Sequence, residues 1–123
     1  MGVDYSAVAG YGFVIADCDI PDVVERLNYM EFAFDDGETH YIDEIEYYDF
    51  LEWFAASTGL NYVTAGDAYS GQLFYLFGSV SSINIFGLEE IDPRLLEFDR
   101  SKVDEVAAKW GFEPHFYAGL YIW

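Results

Sequence analysis

LNYVTAGDAYSGQLFYLF, residues 60–77, is the stretch on which the fold turns. It holds two runs rich in β-branched and aromatic side chains, Leu60–Ala65 and Gln72–Phe77, around Gly66-Asp67-Ala68-Tyr69-Ser70-Gly71. A glycine at each end of a short polar stretch supplies the backbone angles of a hairpin loop, so the segment predicts two antiparallel strands. Its surroundings share its character. From Trp53 to Leu88 the only charged side chain is Asp67, a composition suited to building a sheet.

Immediately upstream the pattern changes to a helix. At 100° per residue, Tyr47, Leu51, Phe54 and Ala55 share one face, Glu46, Asp49, Glu52 and Trp53 share the other, and Gly59 is the stop. Three acids alone describe the solvated side of an amphipathic helix. An indole among them is a poor solubility device and a good contact residue.

Further out, Val3–Ala16 predicts a strand with Gly10 and Gly12 as bulge or bend positions. Asp19-Ile20-Pro21-Asp22 starts a helix whose apolar side is Val23, Leu27 and Met30, running to about Tyr29–Glu31. Asp35–Glu38 is a turn and Thr39–Ile42 a short extended piece. Ile83–Phe86 is a candidate strand, and Asp92-Pro93 a turn or helix start. Ser101 with Asp104 caps a helix with the stripe Val103, Val106, Ala107 and Trp110, ended by Gly111. His115–Trp123 closes the chain as an apolar strand expected to be central. The sum is an α+β single domain spanning residues 1–123, with four or five mostly antiparallel strands against two or three helices.

Charge is the other strong signal. Residues 17–52 carry thirteen carboxylates against one base, Arg26, a formal charge of −12 out of −18 for the chain. Acidic disordered tails are poor in aromatic and aliphatic residues, whereas this chain is 53% hydrophobic and 20% aromatic. The acids therefore belong to a folded surface, where their mutual repulsion costs stability. A pI near 4.1 excludes direct nucleic-acid binding, which needs Lys and Arg to neutralise phosphates, and docking on anionic membrane. A basic partner, a cation or plain solubility remain.

The single cysteine, Cys18, cannot pair internally, and its neighbours Asp17 and Asp19 disfavour a reactive thiolate. Met1-Gly2-Val3-Asp4 lacks the basic region of a signal peptide, and no apolar run reaches the length of a membrane span. A soluble cytoplasmic protein is the expectation.

Catalytic motifs are missing from the sequence. Carboxylate pairs are too numerous for any one to mark an acid/base dyad. His40 and His115 lie far apart, no Ser-His-Asp order with a nucleophile elbow can be drawn, and there is no phosphate loop. Asp17-Cys18-Asp19 and Asp35-Asp36-Gly37-Glu38 offer oxygen ligands to a cation without the spacing of an EF-hand loop. No enzyme activity, no cofactor and no dedicated metal site are expected.

Carboxylates fixed in rows can compete for clefts that Lys and Arg line for DNA. Asp43, Glu46, Asp49 and Glu52 stand three apart, the spacing of neighbours on a helix. With Asp22, Glu25, Asp35, Asp36, Glu38 and Trp53 they are the candidate partner-binding residues.

Small size, an acidic flank and an aromatic-rich body give the chain a likeness of charge and size. In these it resembles phage-encoded inhibitors that mimic DNA. Met1-Gly2-Val3-Asp4-Tyr5, Gly10-Tyr11-Gly12-Phe13 and Ala65-Gly66-Asp67-Ala68-Tyr69-Ser70-Gly71 are similar in style to small phage proteins. The resemblance implies a non-enzymatic inhibitor in the host cytoplasm. Its partner would be a basic nucleic-acid-binding protein: a CRISPR effector, restriction enzyme, nucleoid protein or polymerase. Two alternatives stand beside it. One is a structural or assembly protein, with a possible homodimer, acting through Tyr75, Phe77, Tyr117, Tyr121 and Trp123 and wearing its acids for solubility. The other is a small-ligand or divalent-cation binder.

Overall fold

The computed structural model describes residues 4–84, 88 and 90–123. In chain order it has β1 (Tyr5–Ala16), α1 (Ile20–Arg26), α2 (Tyr29–Ala33), α3 (Tyr47–Thr58), β2 (Asn61–Asp67), β3 (Gln72–Asn84), α4 (Arg100–Trp110) and β4 (His115–Ile122). Short 3-10 turns occupy Asp17–Asp19, Ile42–Glu44 and Pro93–Leu96. The fold is α+β, as the hairpin and the helical periodicities require. Two compact units divide it: residues 18–59, and the remainder on either side of them.

The unit outside residues 18–59 is a sheet closed in the order β1-β3-β2-β4. All its pairings are antiparallel except β2 with β4. The hairpin forms as the glycines demand: Asp67 pairs with Gln72, Gly66 and Gly71 take positive φ, and the Tyr69 N–H donates to Asp67 Oδ1 at 2.9 Å. Phe13, Ile15, Leu76 and Phe77 are buried, and Phe13 stacks on Phe112 with ring centroids 4.4 Å apart. α4 packs on β1 and β3 through Val103 and Ala107. It is tied down where the Tyr11 hydroxyl donates to Asp104 Oδ1 and Arg100 lies 4.9 Å above the Tyr11 ring.

Several sequence expectations change here. Gly10 and Gly12 are not bulges, because β1 and β3 pair residue for residue from Ser6↔Asn84 to Ala16↔Phe74. Gly12 faces Gly78, and a Cβ built on Gly12 would lie 1.9 Å from the Phe77 carbonyl oxygen. Closing a sheet of so few strands bends each strongly, and these glycines sit where two backbones approach closer than a side chain permits. β4 has a strand on each side, but unequally: it pairs with β1 along Tyr5–Gly12 and meets β2 at Gly66↔Tyr121 and Asp67↔Ile122, while His115–Leu120 are exposed. An apolar run without alternation cannot distinguish a strand covered on both faces from one left at a seam. α4 starts at Arg100, with the Asp99 side chain accepting from the Lys102 N–H at 3.3 Å, so the cap precedes Ser101. Of the candidate strand Ile83–Phe86, Ile83 and Asn84 end β3, while Ile85 and Phe86 lie outside the described residues, as does Val3 at the start of the first strand.

The unit of residues 18–59 is helical. Asp19 precedes α1, Pro21 and Asp22 lie in its first turn, and Ile20, Val23 and Val24 are buried. The expected run to Tyr29–Glu31 breaks at Asn28, whose φ of 55° is left-handed, a conformation Asn tolerates. Thr39–Ile42 is not one extended piece, since Ile42 opens a 3-10 turn. α3 buries Phe50, Leu51, Phe54 and Thr58 and ends at Gly59 with φ 70°.

Candidate partner-binding surface

Folding residues 18–59 consumes the apolar side of each short helix, so the acids are left outside. Every carboxylate from Asp19 to Glu52 is exposed, including Asp22, Glu25, Asp35, Asp36, Glu38, Asp43, Glu46, Asp49 and Glu52. Asp17 belongs to the other unit, where it accepts from the Tyr75 hydroxyl at 2.8 Å. Burial, then that bond, pushes the Tyr75 phenol well above its usual value.

The row spaced by three does not continue along one helix. Asp49 and Glu52 lie on α3 opposite its buried face, with the Glu52 carboxylate bonded to Tyr48. Glu46 is the residue before the helix, with extended φ −89° and ψ 128°, and Asp43 sits in the 3-10 turn Ile42–Glu44. Extended backbone rises about 3.3 Å per residue against 1.5 Å in a helix, so the N-terminal half of the row is stretched. Spacing alone signals a helix; the extended Ile45 and Glu46 that interrupt it are a tertiary matter.

Trp53 lies at the border of the buried face and is half-buried. Its ring stands 5.0 Å from Tyr29, 5.5 Å from Phe32 and 6.0 Å from Phe50. Such clusters contribute beyond their buried area. Trp53→Ala is therefore expected to cost about 2–4 kcal/mol, somewhat less than a fully buried Trp, read as a lower urea midpoint. An unchanged midpoint would mean the ring packs on nothing that matters.

The bases of this unit are Arg26 and His40. His40 Nε2 is 2.8 Å from Asp36 Oδ2, Nδ1 is 3.2 Å from Glu44 Oε1, and the ring stacks on Phe34 at 4.0 Å. Hydrogen bonds to Asp36 and then Glu44 raise the His40 pKa. The Glu38 N–H and then His40 lower that of Asp36, and the Tyr41 N–H and then His40 lower that of Glu44. Asp36, Glu38 and His40 present ligand atoms within 4.8 Å of one another, a set of two oxygens and one nitrogen that could hold a metal. With a carboxylate on each ring nitrogen, the charged imidazolium is favoured, and it has no lone pair to give a cation.

The sign of the pH dependence follows. A raised histidine pKa adds stability that is full below its unfolded value near 6.5 and is lost as pH rises through the higher folded value. The depressed Asp36 and Glu44 add stability present above the ordinary carboxylate range and lost as pH falls through their folded values. The clamp over residues 36–44 is thus tightest between those limits. Protection of the Glu38 and Tyr41 amides from exchange, taken relative to the intrinsic rate at each pH, should fall on either side of that window. His40→Gln should remove the upper limb alone; an upper limb that survives the substitution disproves the assignment.

Besides Asp17, the acids omitted from the sequence expectation are Asp19, Glu31 and Glu44. Glu44 is engaged with His40, while Glu31 joins Asp22 and Glu25 around a groove. Only the break at Asn28, invisible to periodicity, turns Glu31 toward them. No protein-family model matches the chain, and neither a curated protein nor a solved structure matches it.

Proposed function

We propose that the protein is a non-enzymatic inhibitor that occupies the basic nucleic-acid-binding cleft of another protein in place of DNA, in the cytoplasm of a host cell. The observation carrying this reading is the exposure of every carboxylate from Asp19 to Glu52 on a unit whose one Lys or Arg is Arg26. Solubility is served by scattered charges of both signs; a field of one sign on a packed aromatic core suits a partner of the opposite sign. The core matters because a surface held in place loses little conformational entropy on binding. Such a field steers a basic partner from a distance, with on-rate and affinity falling as salt rises. The partner is of the class of CRISPR effectors, restriction enzymes, nucleoid proteins or polymerases. Among the described residues no helix is long and apolar enough to cross a membrane.

The test is capture from bacterial lysate at low salt followed by competition with duplex DNA. Nucleic-acid-handling proteins released by DNA support the proposal. Capture that DNA leaves untouched ends it.

A second reading, self-association, is favoured by β4. Phe116 is 58% exposed and Leu120 49%, on a strand that meets β2 at only two residue pairs. The β2-facing side of β4 carries no ladder over His115–Leu120, and an open strand side is a template for another chain. Sedimentation should then give twice the 14.1 kDa of the chain, reverting to monomer in Leu120→Asp; a monomer at high concentration dismisses this reading.

A further inference from the structure

We infer that the groove beside α1 and α2 receives an arginine side chain of the partner. This deepens the reading above and rests on it, since it supposes a basic protein as the occupant.

The groove is shallow and open to solvent, with a volume of about 430 Å³. Its apolar lining is Pro21, Met30 and Ile42 over the buried Val24; Asp22, Glu25 and Glu31 line it too, as does His40, whose charge Asp36 and Glu44 already balance. None of these three carboxylates has an ion pair or hydrogen bond from another side chain among the described residues. The lining favours methylene groups and the rim favours positive charge. Those two demands are met together by a long basic side chain, whose stem lies on apolar surface while its head keeps polar contacts. Three carboxylates then select between the two such residues. A guanidinium spreads five N–H donors in a plane and bonds carboxylates two at a time, whereas an ammonium is a compact, strongly hydrated point charge. A bare cation would leave the apolar lining wet, and a phosphate would be repelled by the rim. Arginine is also the residue with which many proteins bind nucleic-acid phosphates, so the groove offers such a side chain a carboxylate site in place of its phosphate.

Hexa-arginine and hexa-lysine peptides are the probes. The chain has two methionines, so methyl-labelled protein reports on Met30 with little overlap. Hexa-arginine should shift the Met30 methyl and bind at least about tenfold more tightly than hexa-lysine at low salt. The double variant Asp22→Asn, Glu31→Gln should lose about tenfold or more of the arginine affinity, with an unchanged melting temperature showing that it folds. Equal affinity for the two peptides, an unmoved Met30 methyl, or full affinity in the double variant would each overturn the assignment. DNA competition in lysate reads the parent proposal separately. If DNA displaces the partner but the double variant captures it normally, the groove alone is wrong. If hexa-arginine seats in the groove while DNA competes with nothing, the site stands and mimicry falls.

Discussion

Reversing Glu46, Asp49 and Glu52 to lysine is expected to abolish capture of the proposed basic partner and to leave the fold standing. Each reversal removes an attraction and installs a repulsion, and like-charge juxtaposition across an interface costs several kcal/mol, on the order of a thousandfold in affinity for the three together. The folded state feels far less. All three side chains are exposed, and exposed charges contribute little to stability. Two effects oppose each other there. Relief of repulsion at three- and four-residue spacing stabilises. Against it, Glu46 precedes α3 and Asp49 lies in its first turn, where negative charge favours the helix dipole by about 0.3–1 kcal/mol each. A small net loss of melting temperature is the expected balance. Affinity and melting temperature measured side by side decide the matter, and unchanged affinity in the triple variant would remove these residues from the partner-facing surface.

Gly12→Ala is the substitution expected to do the most damage to the fold. The new Cβ would sit 1.9 Å from the Phe77 carbonyl oxygen and 2.8 Å from its carbonyl carbon. Both belong to backbone, so no rotamer change relieves the clash, and β1 must separate from β3 at the place where Phe13 and Phe77 are buried. A loss of more than about 3 kcal/mol follows, against a total of about 5–15 kcal/mol for an ordinary domain. Gly78→Ala should behave alike, its Cβ falling 2.2 Å from the Tyr11 carbonyl oxygen. Gly119→Ala is the control on the same sheet, because its Cβ would meet only Val8 Cγ2 at 3.9 Å, an ordinary contact. Thermal melts of the three variants test the close approach. A Gly12→Ala protein as stable as Gly119→Ala would refute it.

Some of this was determined by the sequence alone. The hairpin at Gly66–Gly71 follows from two β-rich runs flanking paired glycines, and the stops at Gly59 and Gly111 follow from the need for a left-handed residue after a helix. The acidity of residues 17–52 is likewise plain from composition, and so is its place on a folded body rather than a tail. These features are local, and local chemistry dictates them. The tertiary structure decided everything that depends on distant neighbours. Gly12 could have been a bulge until Gly78, far along the chain, was seen opposite it. His115–Trp123 is apolar enough for a central strand, yet its partner on one side is present at two residues only. The three-residue spacing of Asp43, Glu46, Asp49 and Glu52 describes a helix only if one runs through it, and extended backbone at Ile45 and Glu46 prevents that. Trp53 reads as a contact residue from its acidic neighbours and as a packing residue from Tyr29, Phe32 and Phe50. Periodicity records which face a side chain is on, but burial depends on what the rest of the chain lays against that face.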